Sequence, residues 1–215
     1  MVYVKTKCVI TVDIKSSTSL GGRQRKIVQK SVFDVIEKLK TRFDRYILSV
    51  GMTAGDEFQI VVNFPEKSID IIAFIQQSLP ARFYAGVGVG SVESVRGKLS
   101  PAEMYGTAFY RSRDALNQAK KRKVDVVFSV GDESLDLEVN TLIELVLFVR
   151  GKWTGRQREV LDYIESHEGL TQAQVAKHFE VSKQAISKIM RTSGFESLRR
   201  GKRLVATLLT NLREK

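Results

Sequence analysis

Cysteine occurs once in these 215 residues, at Cys8 inside an apolar run, so no disulfide can form within the chain and nothing argues for an oxidising compartment. Histidine occurs twice, at His167 and His178, without the cysteine or acidic spacing of a metal site, and both are expected at the surface. Prolines number only three. No apolar stretch reaches the roughly 18 residues that a membrane span requires, and Met1 leads into Val-Tyr-Val-Lys-Thr-Lys rather than a basic-then-apolar leader. A cytoplasmic chain with no membrane-embedded part is the expectation. Acidic residues are also in short supply, 24 against 35 lysines and arginines, for a net charge of +11 that calls for an anionic partner. What the chain does have is 43% hydrophobic residues, enough for one good-sized core or two small ones. The charge is uneven: from Arg150 to Lys215 there are 14 basic and seven acidic residues, so the shorter C-terminal part holds most of the excess.

Val9 to Ile14 is a β-branched run with no polar interruption until Asp13, and it reads as a strand buried on both faces within residues 2–14. A lone carboxylate there is costly unless paired or holding a cation. The four hydroxyl residues Ser16, Ser17, Thr18 and Ser19 leave the strand and can cap a following helix, which places free backbone N–H groups beside the carboxylate. Apolar residues at spacings of three and four predict a helix over 23–45. Residues 46–50 and 57–62 form a hairpin around a turn at 51–56. Residues 65–79 form a helix with Pro65 near its first turn, and residues 82–90 a strand with alternating glycines that admit another backbone or a ligand. Ser100-Pro101-Ala102-Glu103 reads as a capping box opening a helix to about Lys121, and residues 124–130 close this half as a strand. The order βαββαβαβ, with its long helices covering one face of a mostly antiparallel sheet, predicts an α+β, ferredoxin-like domain. In that arrangement the first strand's end lies beside the hairpin, bringing Asp13 towards Asp56, 43 residues on; converging carboxylates repel unless a divalent cation lies between them. A solvated hairpin turn is the plain alternative for Asp56-Glu57.

Asp13-Ile14 and Ala54-Gly55-Asp56-Glu57-Phe58 resemble the palm domain shared by class III nucleotidyl cyclases and GGDEF diguanylate cyclases, and the whole chain resembles the SatD family, in which such a palm precedes a helix-turn-helix. The resemblance implies Mg2+ ligands at Asp13, the Ile14 carbonyl and Asp56, and a bound purine nucleotide near Ser16, Ser17, Thr18, Ser19 and Gly55. Glu57, one residue on, is expected to point to the other face. Lys15 and Arg23 are within reach of phosphate. There are departures. Ala54 replaces the first glycine of GGDEF. The helix positions on which cyclases carry an asparagine and, four residues later, an arginine hold Tyr110 and Asp114, with Arg111 and Arg113 out of phase.

Ser134 to Arg150 carries more apolar surface than one exposed helix tolerates, so it needs cover from the palm, the next domain or a second copy. Gly151 to Gly155 marks a boundary, giving segments 1–132, 133–151 and 152–215, with Trp153 as an interface anchor. Beyond it, Thr171 and Ser182 cap two short helices around the corner Glu180-Val181-Ser182, with Val175, Phe179, Ile186 and Ile189 as shared core. This resembles the helix-turn-helix of sigma-factor region 4, whose second helix enters the major groove. The resemblance implies base contacts from Lys183, Gln184, Ser187 and Lys188, and phosphate contacts from Arg191, Arg199, Arg200, Lys202 and Arg203. Protein contacts are the alternative use of these basic helices. Two functions follow as expectations. One is a homodimeric regulator of transcription, binding double-stranded DNA and sensing a nucleotide; the other is a magnesium-dependent enzyme acting on a purine nucleoside triphosphate, with the helix-turn-helix as a targeting module.

Overall fold

The computed structural model describes residues 6–15, 21–54, 56–94, 100–167 and 169–212. They divide into two units, one within 1–140 and 206–215, the other within 141–205. The first contains β1 (Lys7–Ile14), α1 (Gly22–Arg42), β2 (Ile47–Ala54), β3 (Glu57–Val62), α2 (Ser68–Ser78), β4 (Phe83–Gly90), the two-residue strands β5 (Glu93–Ser94) and β6 (Met104–Tyr105), α3 (Thr107–Arg122) and β7 (Val126–Ser129). The sheet order is β2-β3-β1-β4-β7, with β7 parallel to β4 and the other neighbours antiparallel. It is the expected ferredoxin-like α+β arrangement, extended by one strand. β1 lies at its centre because Cys8 to Val12 is fully buried, apolar except for Thr11, and can face protein on both sides.

The two sides of β1 have different covers. Val9 packs with Ala108, and Thr11 Oγ1 lies 2.9 Å from Ser112 Oγ, so the odd-numbered residues face α3. Cys8, Ile10, Val12 and Ile14 point the other way, which leaves them to α1 and α2; these two helices meet edge-to-face through Phe43 and Phe74, ring centroids 5.6 Å apart. The expectation that all long helices share one face is therefore wrong for α3. The reason is in β4. A Cβ on Gly86 would stand 2.1 Å from the Ser112 carbonyl oxygen, and one on Gly88 2.2 Å from that of Ala108. The strand is bare where the helix backbone rests on it.

Two local expectations also change. Ser100 makes no side-chain cap; Pro101–Glu103 is one 3-10 turn, the chain extends again as β6, and α3 begins only after Gly106, whose φ of +135° requires glycine. β2 continues through Gly51 to Ala54 instead of turning at Gly51, with register shifts between Ile47 and Ser49 and between Met52 and Ala54. The outer edge of β7 is closed by α4 (Glu133–Gly151): Asn140 accepts from the Phe128 N–H and donates to its carbonyl, both at 2.8 Å.

The second unit holds the later part of α4, then α5 (Gly155–Ser166), α6 (Gln172–His178), α7 (Lys183–Thr192) and the first part of α8 (Phe195–Asn211). Capping boxes at Thr154/Gln157 and Thr171/Gln174 start α5 and α6, and Ser182 caps α7. One cluster joins Val146, Trp153, Leu161, Phe195 and Leu198, and a second joins Val160, Val175, Ala176 and Ile186. Trp153 is thus an anchor inside this unit rather than at an interface, with Nε1 donating to the Ser193 carbonyl at 2.9 Å. On α4, Ile143 and Val146 are buried, whereas Leu145 and Phe148 stay exposed. Among the described residues no helix is long and apolar enough to cross a membrane.

Candidate functional sites

Asp13 and Glu57 are direct partners in the β1–β3 register, as are Thr11 and Gln59 before them, so all four side chains stand on the face that α3 covers. Glu57, expected to turn away, is the residue opposite Asp13. The register ends there, and the next positions along the two strands are Ile14 and Asp56. Thr11 links the layers: it accepts from Gln59 Nε2 at 3.1 Å and meets the Ser112 hydroxyl.

The counter-charges come from α3. Arg113 and Lys120 are seven residues apart and therefore share one helix face. Arg113 forks the Glu57 carboxylate, Nη1 donating to Oε2 and Nη2 to Oε1 at 2.7 Å, while Thr53 Oγ1 donates to the same Oε1 at 2.8 Å. Glu57 is only 8% exposed. Its bidentate bond, with the nearby charge of Asp13, raises the Arg113 pKa above its ordinary value against the opposing effect of burial. Lys120 Nζ lies 2.9 Å from Asp13 Oδ2. Sequence reasoning noted Arg113 only as out of phase with the cyclase arginine and missed Lys120, although two basic residues at a seven-residue spacing on a helix beside an acidic strand end are a readable signal.

Other expected residues are committed elsewhere. Lys15 pairs with Asp125 at 2.5 Å and sits over the Tyr84 ring, and Arg23 is exposed at the start of α1. Arg111 donates to the Val89 and Val130 carbonyls and so ties strand ends together. Tyr110 and Asp114 are exposed on the outer side of α3. Ser16, Ser17, Thr18, Ser19 and Gly55 lie outside the described residues.

A magnesium ion prefers oxygen donors, which Asp13, the Ile14 carbonyl and Asp56 supply. Asp56 Oδ2 is buried and has no hydrogen-bond partner among the described residues, a costly state that a bound cation relieves. The donor chemistry of these residues suits the ion, with one Asp13 oxygen already held by Lys120. Glu57 does not, because both its oxygens are taken. Nor do three or more His, Cys, Asp or Glu side chains gather into a metal-holding group among the described residues.

In the second unit, α6 and α7 meet around a corner whose Glu180 takes a left-handed φ of +53°. Val181, Phe179 and Ile189 pack against the core of Val175 and Ile186, as expected. This leaves Lys183, Gln184, Ser187, Lys188 and Arg191 exposed along α7. The α8 cations are less free: Arg199 lies 3.6 Å from Glu196, and Arg200 3.4 Å from Ser197 Oγ. Lys202, expected on phosphate, instead bonds Glu165 at 2.7 Å. Glu165 also accepts from the buried Arg150, which pairs with Asp162 at 2.6 Å as well. His167 and His178 are exposed and both lie against Tyr163, His178 stacked at 4.0 Å and His167 tilted at 4.2 Å between ring centroids.

Solved structures similar to this chain include a microbial GGDEF domain described with bis-(3′,5′)-cyclic di-GMP, at 16% identity and a TM-score of 0.41, over 58% of this chain and 77% of that one. A bacterial light-regulated adenylyl cyclase is similar at 15% identity and a TM-score of 0.35, over 58% of this chain and 43% of that one. No curated protein matches. The model of the SatD family matches residues 8–209, nearly the full length, and the chain belongs to the SatD family.

Proposed function

We propose that this SatD chain is a DNA-binding transcriptional regulator whose sheet unit senses a purine nucleotide. Residues 1–132 are the sensor, 133–151 the connector and 152–215 the DNA-binding domain. The observation that carries the reading is α7: its first turn is capped by Ser182, its apolar side faces α6, and Lys183, Gln184, Ser187, Lys188 and Arg191 are left on one exposed side. Such a helix presents base-reading and phosphate-reading side chains together. Arg199 and Arg200 add phosphate contacts, and Lys202 contributes only by leaving Glu165. In the sensor, Asp13, the Ile14 carbonyl and Asp56 hold a magnesium ion that neutralises phosphate oxygens, with Ser16, Ser17, Thr18, Ser19 and Gly55 around the nucleotide. The exposed Leu145 and Phe148 of α4 are the face offered to a second copy in a homodimer.

The test is selection of duplexes from a random double-stranded DNA pool by the full chain. Retention of a specific sequence should fall at least tenfold in Lys183→Ala/Gln184→Ala and weaken steeply with salt. Unchanged retention in that variant removes α7 from the interface.

The second reading, a magnesium-dependent enzyme on a purine nucleoside triphosphate, is supported by Asp56 Oδ2, which has no partner among the described residues. Against it, the helix positions used by cyclases hold Tyr110 and Asp114, which face solvent. Incubation with magnesium and each nucleoside triphosphate decides: turnover abolished by Asp56→Asn overturns the pure sensor.

A further inference from the structure

The first unit carries a second cation of its own. Glu57 stands beside Asp13 in the register, where two carboxylates on one face repel, and the structure meets that repulsion with a guanidinium. Three donors fill the two Glu57 oxygens: Arg113 Nη1 and Nη2, and Thr53 Oγ1. The planar fork of arginine matches a carboxylate in a way that leaves little room for a metal on the same oxygens. Asp56 is the opposite case, with a buried oxygen that nothing among the described residues satisfies. Asp13 lies between, holding only the half-exposed Lys120 ammonium on one oxygen. Glu57 and Asp13 are thus each matched by one cation of α3, Arg113 and Lys120, while Asp56 Oδ2 is left without a partner among the described residues.

We infer that this site takes a single divalent cation, at Asp13 and Asp56, and that Arg113 permanently fills the place of a second one by neutralising Glu57. This rests on the metal-binding reading above and specifies it. Arg113 is a positioning residue. It keeps Glu57 out of the coordination shell and presents the remaining positive charge to whatever anion the cation holds. A one-cation site suits retention of a phosphate group better than in-line displacement by two metals, so the inference favours the sensor over the enzyme.

The experiment counts Mn2+ bound to the full-length protein, without nucleotide, by electron paramagnetic resonance of the free ion, and locates it by anomalous scattering in Mn2+-soaked crystals. One ion per chain is expected, lost in Asp56→Asn and retained in Glu57→Gln with affinity changed less than about threefold. Arg113→Gln, which frees Glu57, should admit a second and weaker ion, and Arg113→Lys should admit it less. Two ions in the unaltered protein, or loss of the ion in Glu57→Gln, overturn the one-cation assignment while leaving the site a metal site. No ion in the unaltered protein overturns the metal-binding reading and this inference with it. Should the Arg113 variants fail to fold, the count in the unaltered chain still decides.

Discussion

Gly86→Ala tests whether α3 is seated on bare strand backbone, the arrangement on which the acid site depends. An added Cβ would stand 2.1 Å from the Ser112 carbonyl oxygen and 2.2 Å from the Leu116 nitrogen. Both are helix backbone and cannot swing aside. Restoring an ordinary contact of 3.4 Å requires helix and strand to part by about 1.3 Å there. The 2.9 Å contact between Thr11 and Ser112 would stretch to about 4.2 Å and cease to be a hydrogen bond. Overpacking of this kind costs about 1–3 kcal/mol, and loss of the Thr11–Ser112 bond about 1 kcal/mol more, since Thr11 keeps Gln59 and Ser112 keeps the Phe109 carbonyl. A loss of roughly 2–4 kcal/mol is therefore expected, and at a urea slope near 2 kcal/mol/M the midpoint falls by about 1–2 M. Urea unfolding followed by far-UV circular dichroism measures it. The control is Gly22→Ala in α1, where an added Cβ meets nothing within 4 Å and the helix gains up to about 1 kcal/mol. A Gly86→Ala protein within about 0.5 kcal/mol of the unaltered chain would refute the backbone-on-backbone seating.

The remaining predictions concern the edge of the sheet and the second unit, where Trp153, the chain's single tryptophan, gives a local fluorescence signal. Asn140→Ala removes both bonds that close β7 at Phe128 and should cost about 2–4 kcal/mol, with faster hydrogen exchange at the Phe128 amide. Ser182→Ala deletes the acceptor for the Ala185 N–H and should lower stability by about 1 kcal/mol, read as a drop in the Trp153 unfolding midpoint. Asp162 has its pKa raised above 3.8 by burial, against the pull of Arg150. A carboxyl raised on folding is held protonated more tightly by the folded chain. Its stabilising contribution is complete below the unfolded value and is lost as pH climbs through the folded one. Asp162→Asn, which keeps an oxygen for Arg150, should raise the Trp153 midpoint at pH 7 and leave it unchanged at pH 4. Equal effects at the two pH values would show that the pair, not the buried charge, sets the balance.

Much of the fold is legible in residue order because its signals are local. β1 is an uninterrupted apolar run, α1 repeats Val32, Val35, Ile36 and Leu39 at helical spacing, and Thr171 and Ser182 sit where side-chain caps were expected. The errors come where one local signal served two structures. Ser100-Pro101-Ala102-Glu103 satisfies a capping pattern, yet the chain extends through Met104–Tyr105 before Gly106 lets it enter α3. The alternating glycines of β4 were readable as a place of close approach, but not what approaches; α3 does, so the helix lies on the face opposite α1 and α2.

The acid site shows the same limit in its charges. Asp13 and the hairpin acids are visible in sequence as a strand end and a turn, but which acid faces Asp13 depends on a register of one residue, and a shift of one residue reverses every side chain on a strand. The register selects Glu57. Arg113 and Lys120 become their partners only because α3 crosses the same face, a tertiary fact set by Gly86 and Gly88 and not by anything near positions 113 and 120. The glycines thus determine the electrostatics: with side chains at 86 and 88 the helix would stand away, Glu57 would lose its guanidinium, and two adjacent carboxylates would need an external cation each. The cation count in the Gly86→Ala protein, if it remains folded, should then rise from one towards two, the direction expected of Arg113→Gln.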